Sequence, residues 1–422
     1  MGIEFMDHEK VTRIMQFGEG VFLRGFVEPL IQRMNREHDF HGEVHAVKPR
    51  PGAVNPAFAA QHCRYHLVVR GCGPDGRAVE KVEEITCLKR VYSSSEEWDE
   101  IEKLVCDPAL RFIFSNTTEA GIVYEENNFD TFPGKLARLL KKRCASGLPG
   151  VTILPCELIE DNGQTLRQYI LRYLAADPAA DYVRTQCRFV DTLVDRIVSG
   201  FPADAARCDG ADKLMVAVEP FAFLAFRTEQ PLGDELPLPP DTALQVDDLK
   251  PYRMRKVRAL NASHTAMVSG GLLAGFAEVQ DLMADRDFRR RIEVTLYDEI
   301  LPTIALPEAE KRAYADAVMR RFDNPFAHHK LEAISLNSVA KWRVRVLPVI
   351  LDSRRLPYYL SRSLGELFKR YRQTGAAGDT AEVAARFAAG CSPDEFLADR
   401  ELWGMDLHAV SGLAEAVREA SE

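Results

Sequence analysis

The segment that most constrains the fold lies near the start of the chain, where an apolar stretch, a glycine turn and an amphipathic stretch follow one another. Residues 11–17 predict a short buried strand, and Gly18-Glu19-Gly20 predicts a tight turn. Residues 21–35 then repeat apolar side chains at helical spacing. This order lets backbone N–H groups approach a phosphate at the positive end of the helix. A simple turn is the alternative, since Leu23 occupies the position of the third glycine in the usual Gly-x-Gly-x-x-Gly pattern.

Short apolar stretches and helical spacings alternate through the first half of the chain. Further buried strands are predicted at residues 43–47, 111–114 and 151–154, and a further helix at 164–174. Polar segments directly follow the second and third of these strands, and doubly wound sheets bind ligands in that position. Beyond residues 237–240 the spacing is almost wholly helical. We therefore predict an α/β protein, with a Rossmann-type doubly wound sheet domain at residues 1–245 and a mainly α-helical domain at residues 246–422.

The composition restricts the class of protein and its partners. Nine cysteines without a Cys-x-x-Cys pair are typical of a reducing compartment, so we expect a cytoplasmic protein. A net charge of −9 disfavours a nucleic-acid partner, and an anionic substrate would need local basic groups. No stretch approaches the roughly 20 apolar residues that span a bilayer, so no membrane partner is expected. The histidines lack a convincing set of further ligands, so no metal site is predicted; the oligomeric state is left open.

The segment at residues 256–264 carries the side chains that reduction of a ketone requires. At roughly 100° per residue, Asn261 lies about 140° and His264 about 80° from Lys256, so all three are predicted on one side of a helix. Lys256 can carry a proton, Asn261 can polarise a carbonyl, and His264 can orient a hydrogen-bond partner. A surface lysine with two cap-forming polar residues is the alternative, and the segment alone does not decide between them.

The chain resembles the polyol-specific long-chain dehydrogenases, the family that includes mannitol dehydrogenase and the reductases of keto-uronates. The catalytic signature of that family is a lysine, an asparagine five residues on and a histidine three further, and it is similar to Lys256, Asn261 and His264 without a gap. Other blocks that resemble the family, and its tagaturonate-reducing branch most closely, occur in order at residues 16–20, 24–26, 115–121, 154–158, 192–198, 321–325, 336–338, 341 and 344–348.

The resemblance implies NAD as the cofactor, bound by the sheet domain. The residues that it assigns to cofactor binding are Phe17, Gly18, Gly20, Arg24, Asn116, Thr117 and Glu119. A salt bridge within the fold is the alternative role for Arg24. No acidic residue follows the strand at 43–47 to bind a ribose 2′-hydroxyl, so the choice between NAD and NADP is open on physical grounds.

The resemblance also implies a metal-independent mechanism. Lys256 would act as the general acid and base, Asn261 would donate a hydrogen bond to the developing oxyanion, and His264 would orient the substrate or the lysine. Together, Lys256 and Asn261 would replace the Lewis acid of a zinc dehydrogenase. A free lysine has a pKa near 10.4. We expect burial and the neighbouring cations Arg253, Arg255 and Arg258 to lower the pKa of Lys256.

Two departures from the mannitol dehydrogenases indicate a substrate that carries a carboxylate. Arg253 stands where those enzymes have a glutamate, and Leu158 where they have an asparagine. Candidate substrate-binding residues are Arg253, Asn162, Lys341 and Arg345, although each basic residue could instead form a structural salt bridge. The expected reaction is the NAD-dependent reduction of tagaturonate to altronate. The alternatives are a fructuronate reductase, a mannitol- or arabinitol-type polyol dehydrogenase, and a sugar-acid epimerase that retains its NAD.

Overall fold

The computed structural model describes residues 11–202 and 212–422, apart from the side chain of Glu119. The chain divides into two compact units. The first comprises Met1–Arg70 and Glu80–Leu249, and the second comprises Gly71–Val79 and Lys250–Glu422. The short excursion at Gly71–Val79 is therefore counted with the C-terminal unit, although it lies early in the sequence.

The first unit is built on a parallel sheet. The strands are β1 (Thr12–Phe17), β2 (Gly42–Lys48), β3 (Tyr65–Cys72), β4 (Ala78–Ile85), β5 (Leu88–Ser93), β6 (Leu110–Ser115), β7 (Thr152–Pro155), β8 (Arg188–Phe189), β9 (Asp191–Asp195), β10 (Val198–Gly200), β11 (Val216–Val218), β12 (Phe223–Arg227) and β13 (Ala243–Gln245). Six of them form the main sheet in the order β5-β2-β1-β6-β7-β8, and all its pairings are parallel. Two small sheets, β10-β11-β3-β4 and β13-β12-β9, complete the strands described.

Apolar side chains cover both faces of the main sheet. The helices of this unit are α1 (Val21–His38), α2 (Ala57–Ala60), α3 (Trp98–Val105), α4 (Phe132–Ala145), α5 (Asn162–Tyr173) and α6 (Ala179–Thr185). Ile14 on β1 belongs to the core cluster that contains Phe26 of α1. Its neighbour Met15 points to the opposite face and joins the cluster that contains Leu136 of α4. A sheet buried on both faces by helices confirms the predicted Rossmann-type fold.

The chain order of the main sheet reverses between β1 and β6. The chain leaves β1 toward β2 and β5 on one side, and it returns to β6, β7 and β8 on the other. In an open parallel sheet, the loops at the carboxyl ends of the two central strands diverge at such a point and leave a crevice. The glycine turn at residues 18–20 and the polar loop after Ser115 are those two loops.

The second unit is helical. Its helices are α7 (Lys250–Arg255), α8 (Ser263–Leu273), α9 (Val279–Ala284), α10 (Arg286–Val294), α11 (Glu308–Phe322), α12 (Leu331–Ile334), α13 (Ser338–Arg345), α14 (Leu347–Asp352), α15 (Tyr358–Thr374), α16 (Ala381–Ala388), α17 (Pro393–Ala398), α18 (Arg400–Trp403) and α19 (Leu413–Ser421). Trp342 and Trp403 meet edge to face in its core, with ring centroids 5.5 Å apart. This confirms the predicted change from a sheet domain to a mainly helical domain. In the described part of the chain no helix is long and apolar enough to cross a membrane.

Candidate functional site

The glycine turn after β1 has a backbone that other residues would disturb. Gly18 has a φ of +115°, and a Cβ there would lie 2.9 Å from the carbonyl oxygen of Asn116. Gly20 precedes α1 as its N-cap and makes no side-chain cap, so the first N–H groups of the helix are not satisfied by that residue. A Cβ at Gly20 would meet no atom of the described residues within 4 Å. The turn is therefore closely packed at Gly18, whereas the described residues leave free space beside Gly20.

Buried polar side chains donate hydrogen bonds to the backbone carbonyl groups of this turn. Gln16 donates from Nε2 to the carbonyl oxygen of Gly18 at 3.0 Å and to Glu28 at 2.9 Å. Arg24 donates from Nε to the carbonyl oxygen of Glu19 at 3.2 Å. Burial raises the pKa of the Glu28 carboxyl, although hydrogen bonds from Gln16 and Tyr65 oppose this effect. These bonds fix the carbonyl groups of Gly18 and Glu19, and the backbone N–H of Gly18 donates to the carbonyl oxygen of Val47 at 2.9 Å.

The side chain of Arg24, which was predicted to contact the cofactor, points into the fold instead. Its side chain is 9% exposed, and it also donates from Nη1 to the carbonyl oxygen of Leu214. Its guanidinium lies over the rings of Phe58 and Tyr65, at 5.6 and 5.5 Å from their centroids. These contacts give Arg24 a structural role, so we leave it out of the proposed binding site.

The loop after β6 is fixed by a buried glutamate. Glu157 accepts hydrogen bonds from the backbone N–H of Thr117 at 2.8 Å, from its Oγ1 at 3.0 Å and from Oγ of Ser115 at 2.9 Å. Asn116 donates from Nδ2 to the carbonyl oxygen of Cys156 at 2.8 Å, and its backbone N–H donates to Phe17 at 3.0 Å. Phe17 itself is fully buried, so only its backbone is near the turn. The side chain of Glu119 lies outside the described structure.

A cavity of about 760 Å³ extends along the carboxyl ends of β2, β5 and β6. Its walls include Arg50 after β2, Ser94 after β5, Thr117 after β6, and Trp98 and Arg138 on α3 and α4. Its position at the carboxyl edge of a doubly wound sheet is the usual place for a nucleotide.

The two glycines of the turn make a matched pair for a stability test. Gly18→Ala is expected to lower the free energy of unfolding by about 1–3 kcal/mol, because it forces a left-handed backbone and a contact with Asn116. Gly20→Ala is expected to cost less than about 1 kcal/mol, since it only removes a favourable N-cap. Urea unfolding followed by circular dichroism measures both, and equal losses would contradict this account of the turn.

In the second unit, the predicted catalytic segment adopts a π-helix. Lys256–Ala262 forms i→i+5 turns between α7 and α8, so residues 250–273 are one helical run with a widened centre. The helical angles expected from 3.6 residues per turn therefore do not apply. In a π-helix, residues five apart lie about one turn apart, which brings Lys256 and Asn261 closer to alignment than the 140° predicted. Such insertions are often found at functional sites.

Two arginines of this segment have partners that the sequence did not reveal. Arg255 donates from Nη1 to Glu310 at 3.1 Å, and its guanidinium lies 4.2 Å from the ring centroid of Tyr314. Arg258 donates to the carbonyl oxygen of Thr303 at 2.7 Å and to the carboxylate of Asp352. Both arginines are nearly buried, and their charges are balanced by carboxylates. Because these charges are balanced, the two arginines give less support to the expected lowering of the Lys256 pKa. Their contacts anchor the π-helix instead.

His264 lies one residue into α8 among aromatic and basic side chains. Its ring centroid is 4.7 Å from that of Phe322 and 5.9 Å from that of His329. Its Nε2 atom is buried and has no hydrogen-bond partner among the residues that the structure describes. Burial lowers the pKa of His264 to about 3, and the groups that lower it further are all basic: His329, Arg321, Arg345 and Lys341. His264 is thus neutral at physiological pH and can donate or accept a hydrogen bond.

Lys341 and Arg345 lie on α13, which packs against α8 and the π-helix. Lys341 donates to the carbonyl oxygen of Ile334 at 2.9 Å, and burial followed by the charge of Arg345 lowers its pKa. Arg345 donates to Oγ1 of Thr265 at 3.4 Å, and burial lowers its pKa. Within residues 11–202 and 212–422 neither side chain forms a salt bridge. The structure therefore brings two of the predicted substrate-binding cations to the surroundings of His264.

Arg321 and His329 were not selected from the sequence, although both contribute to the charge around His264. Arg321 belongs to the family-like block at 321–325, which was the only signal available for it. Arg253, in contrast, is not among the groups with the largest effect on His264. It lies partly buried on α7, and its role in substrate binding stays a prediction.

Asn162 also differs from its predicted role. It is 1% exposed, and its Nδ2 donates to the carbonyl oxygens of Pro155 and Glu157, both at 3.0 Å. Its Oδ1 accepts from the backbone N–H groups of Gly163 and Thr192, both at 2.9 Å. The amide of Asn162 uses its hydrogen bonds within the fold, where it joins β7 to β9. We therefore leave Asn162 out of the proposed substrate site.

The low pKa of His264 predicts a dependence of stability on pH. A free imidazole titrates near 6.5, so between pH 6.5 and about 3 the unfolded chain binds a proton that the folded chain does not. The stability that the neutral ring contributes is complete above pH 6.5 and is lost as the pH falls. Between pH 7.5 and pH 5, wild type is expected to lose about 2 kcal/mol more than His264→Phe. Urea unfolding at the two pH values measures this difference, and equal losses would show that the ring is not held neutral.

The comparisons with known proteins agree along the whole chain. Residues 12–238 match the family model of the mannitol dehydrogenase Rossmann domain, and residues 248–422 match that of the mannitol dehydrogenase C-terminal domain. The altronate oxidoreductase of Halalkalibacterium halodurans is 34% identical over 99% of this chain and 92% of its own length. That of Cronobacter sakazakii is 37% identical over 96% of this chain and 92% of its own.

Two solved structures share the fold. A D-sorbitol dehydrogenase in substrate-free form superimposes with a TM-score of 0.76 at 21% identity, covering 97% of this chain and 94% of that one. The mannitol 2-dehydrogenase of Pseudomonas fluorescens, in a ternary complex with NAD and D-mannitol, gives a TM-score of 0.72 at 19% identity, covering 97% and 91%.

A Rossmann-type sheet unit followed by a helical unit, with these family models and relatives, defines a dehydrogenase, an oxidoreductase that acts on CH–OH groups. The chain belongs to the mannitol dehydrogenase family. The resemblance found in the sequence is thereby confirmed.

Proposed function

We propose that this chain reduces a keto-uronate with NADH, converting tagaturonate to altronate. The cationic surroundings of His264 are the observation that carries this proposal. The cations Arg321, Arg345 and Lys341 act on that ring together with the basic ring of His329, and no carboxylate is among the described groups that most affect its pKa. A neutral polyol has no use for such a charge, whereas the carboxylate of a uronate offsets it. The altronate oxidoreductases to which this chain is 34–37% identical support the same substrate class.

The residues of the sheet unit fit a dinucleotide. The turn at Gly18 and Gly20 leads into the start of α1, whose first N–H groups are not capped by Gly20, and no described residue occupies the space beside Gly20, so a phosphate fits there. Asn116 and Thr117, held by Cys156 and Glu157, form the opposite wall of the crevice. When bound there, the reduced dinucleotide supplies the hydride for the reaction.

The helical unit supplies the proton and the orientation. Lys256 donates a proton to the substrate oxygen during reduction and accepts it back during oxidation. Asn261 donates an amide hydrogen bond where negative charge develops, a contribution of about 3–4 kcal/mol in comparable oxyanion sites. Neutral His264 orients a substrate hydroxyl through Nε2, which has no hydrogen-bond partner in the described part of the chain. Lys341 and Arg345 bind the substrate carboxylate, with arginine as the bidentate partner.

The proposal is tested by following NADH absorbance with tagaturonate, fructuronate and fructose in parallel. Turnover of tagaturonate well above the other two is the expected result. Turnover of fructuronate alone would retain the uronate class but change the substrate. Turnover of fructose alone would place the chain among polyol dehydrogenases and contradict the role given to Arg345. Conversion of a sugar acid to its epimer without consumption of NADH would overturn the proposal in favour of an epimerase.

A further inference from the structure

The carboxyl end of β2 is the place where a Rossmann-type sheet distinguishes the two dinucleotides. An acidic residue there binds the free ribose 2′-hydroxyl of NAD, and a nearby arginine accommodates the 2′-phosphate of NADP. In this chain β2 ends at Lys48, and Pro49-Arg50-Pro51 follows. No aspartate or glutamate occurs in the sequence from residue 44 to residue 74. The acidic group that excludes a 2′-phosphate is therefore absent from this strand and its loop.

The loop that carries Arg50 is held in place by side chains from three elements. Lys48 donates from Nζ to the carbonyl oxygens of Gly52 and Ala53, at 3.2 and 2.8 Å. Ser94, after β5, donates to the carbonyl oxygen of Pro49 at 3.0 Å. Lys135 of α4 donates to the same oxygen, also at 3.0 Å. Prolines on both sides restrict the backbone further, so the position from which the Arg50 side chain starts is fixed.

The wall around Arg50 is rich in cations. Arg50 is exposed, lines the 760 Å³ cavity and has no salt bridge to any described residue. Arg138 lies 4.3 Å from the ring centroid of Trp98 and likewise forms no described salt bridge. Lys135 is buried, its ammonium donates to the carbonyl oxygens of Pro49 and Asp130, and burial lowers its pKa. Two carboxylates also line the cavity: Glu125 accepts from Asn128 at 2.6 Å, and Asp130 lies near Lys135.

We propose, on the basis of the function proposed above, that this cavity accepts the 2′-phosphate of NADP(H) as well as the ribose of NAD(H), with Arg50 as the residue that contacts the phosphate. A guanidinium without a carboxylate partner is suited to a bidentate contact with a phosphate dianion. Arg138 and Lys135 add positive charge to the same wall, and Arg138 presents a flat stacked surface beside Trp98. The chain is then a reductase of dual cofactor use.

Binding of two nucleotide fragments to the full-length protein tests this inference without any turnover. Isothermal titration calorimetry is performed with 5′-AMP and with 2′,5′-ADP (adenosine 2′,5′-bisphosphate), which differ only in the 2′-phosphate. We expect 2′,5′-ADP to bind at least as tightly as 5′-AMP. Arg50→Asp is expected to weaken the binding of 2′,5′-ADP by about tenfold or more, because it removes a charge-assisted contact and adds a repulsive one. The same change should leave the affinity for 5′-AMP within about twofold of wild type.

Three controls make the result specific. Arg50→Lys is expected to retain most of the preference for the nucleotide that carries the 2′-phosphate, because it keeps the positive charge. Arg111→Asp changes an exposed arginine of β6 in the same unit and should not alter either affinity. Quenching of Trp98 fluorescence by NADPH, lost in Trp98→Phe, reports binding in this cavity.

The two proposals fail in different ways. If NADH and 5′-AMP bind but 2′,5′-ADP binds more than about tenfold more weakly than 5′-AMP, the dual cofactor use is overturned and the NAD-dependent reductase is retained. If an Arg50→Asp protein binds 2′,5′-ADP as wild type does, Arg50 is not the phosphate contact and the inference is also overturned. If neither NADH nor 5′-AMP binds, the proposed function fails and this inference fails with it.

Discussion

Lys256→Ala is expected to lower kcat for the reduction of tagaturonate by about 10²–10⁴-fold, because it removes the group that gives a proton to the substrate oxygen. The affinity for NADH should not change, since the residues proposed to bind the dinucleotide are all in the sheet unit. Steady-state kinetics and a binding titration with NADH separate the two effects. The pH dependence of kcat should also lose one limb, which the loss of a merely structural lysine would not cause.

Lys250 provides a control in the same helical run. It is exposed at the start of α7, six residues before Lys256, and Lys250→Ala is expected to leave kcat within about twofold of wild type. A fall in kcat of less than about tenfold for Lys256→Ala would mean that another group carries the proton. Equal falls for both variants would indicate damage to the helix rather than to the chemistry.

Arg345→Met is expected to have the second large effect, on the choice of substrate. Removing the guanidinium should lower kcat/KM for tagaturonate by about 10–100-fold, because a charge-assisted contact with the substrate carboxylate is lost. Methionine retains much of the apolar stem, so the packing of α13 against α8 should be preserved. Activity toward a neutral ketose such as fructose should fall far less, and the ratio of the two values of kcat/KM is the quantity to measure.

Arg343 is the matched control for this variant. It is exposed on the same helix, two residues before Arg345, where its Nη1 donates to the carbonyl oxygens of Glu401 and Leu402, both at 3.4 Å. Arg343→Met should leave the ratio of kcat/KM for tagaturonate to kcat/KM for fructose unchanged. If Arg345→Met lowers kcat/KM equally for tagaturonate and for fructose, Arg345 supports the fold of the site and does not bind the substrate carboxylate. Lys341→Met would then be the next variant to examine.

Much of the fold could be predicted from the sequence because its signals are local. Residues 11–35 specify a strand, a turn and a helix through apolar spacing and two glycines, and the structure has β1 at Thr12–Phe17 and α1 at Val21–His38. The helix runs three residues further than predicted and ends at Asp39 in a left-handed conformation. The change to helical spacing after residue 240 likewise corresponds to the helical unit.

The candidate site was only partly predictable, because burial and partners are properties of the whole fold. Arg24 was a candidate cofactor contact, yet it is turned inward to backbone carbonyl groups and two aromatic rings. Arg255 and Arg258 were expected to act on Lys256, yet Glu310 and Asp352, 55 and 94 residues away in the sequence, balance their charges. No local pattern reports such distant partners.

The sequence by itself determined the order of strands and helices and the residue types in the Lys256–Asn261–His264 signature, because apolar periodicity and motif spacing are written along the chain. The tertiary structure alone decided the widened π-helix of that signature and the grouping of His264 with Arg321, His329, Lys341 and Arg345. It also decided that Asn162 and Arg24 serve the framework. The physical reason is that desolvation and charge depend on neighbours brought together from distant parts of the chain, and spacing along the sequence does not encode them.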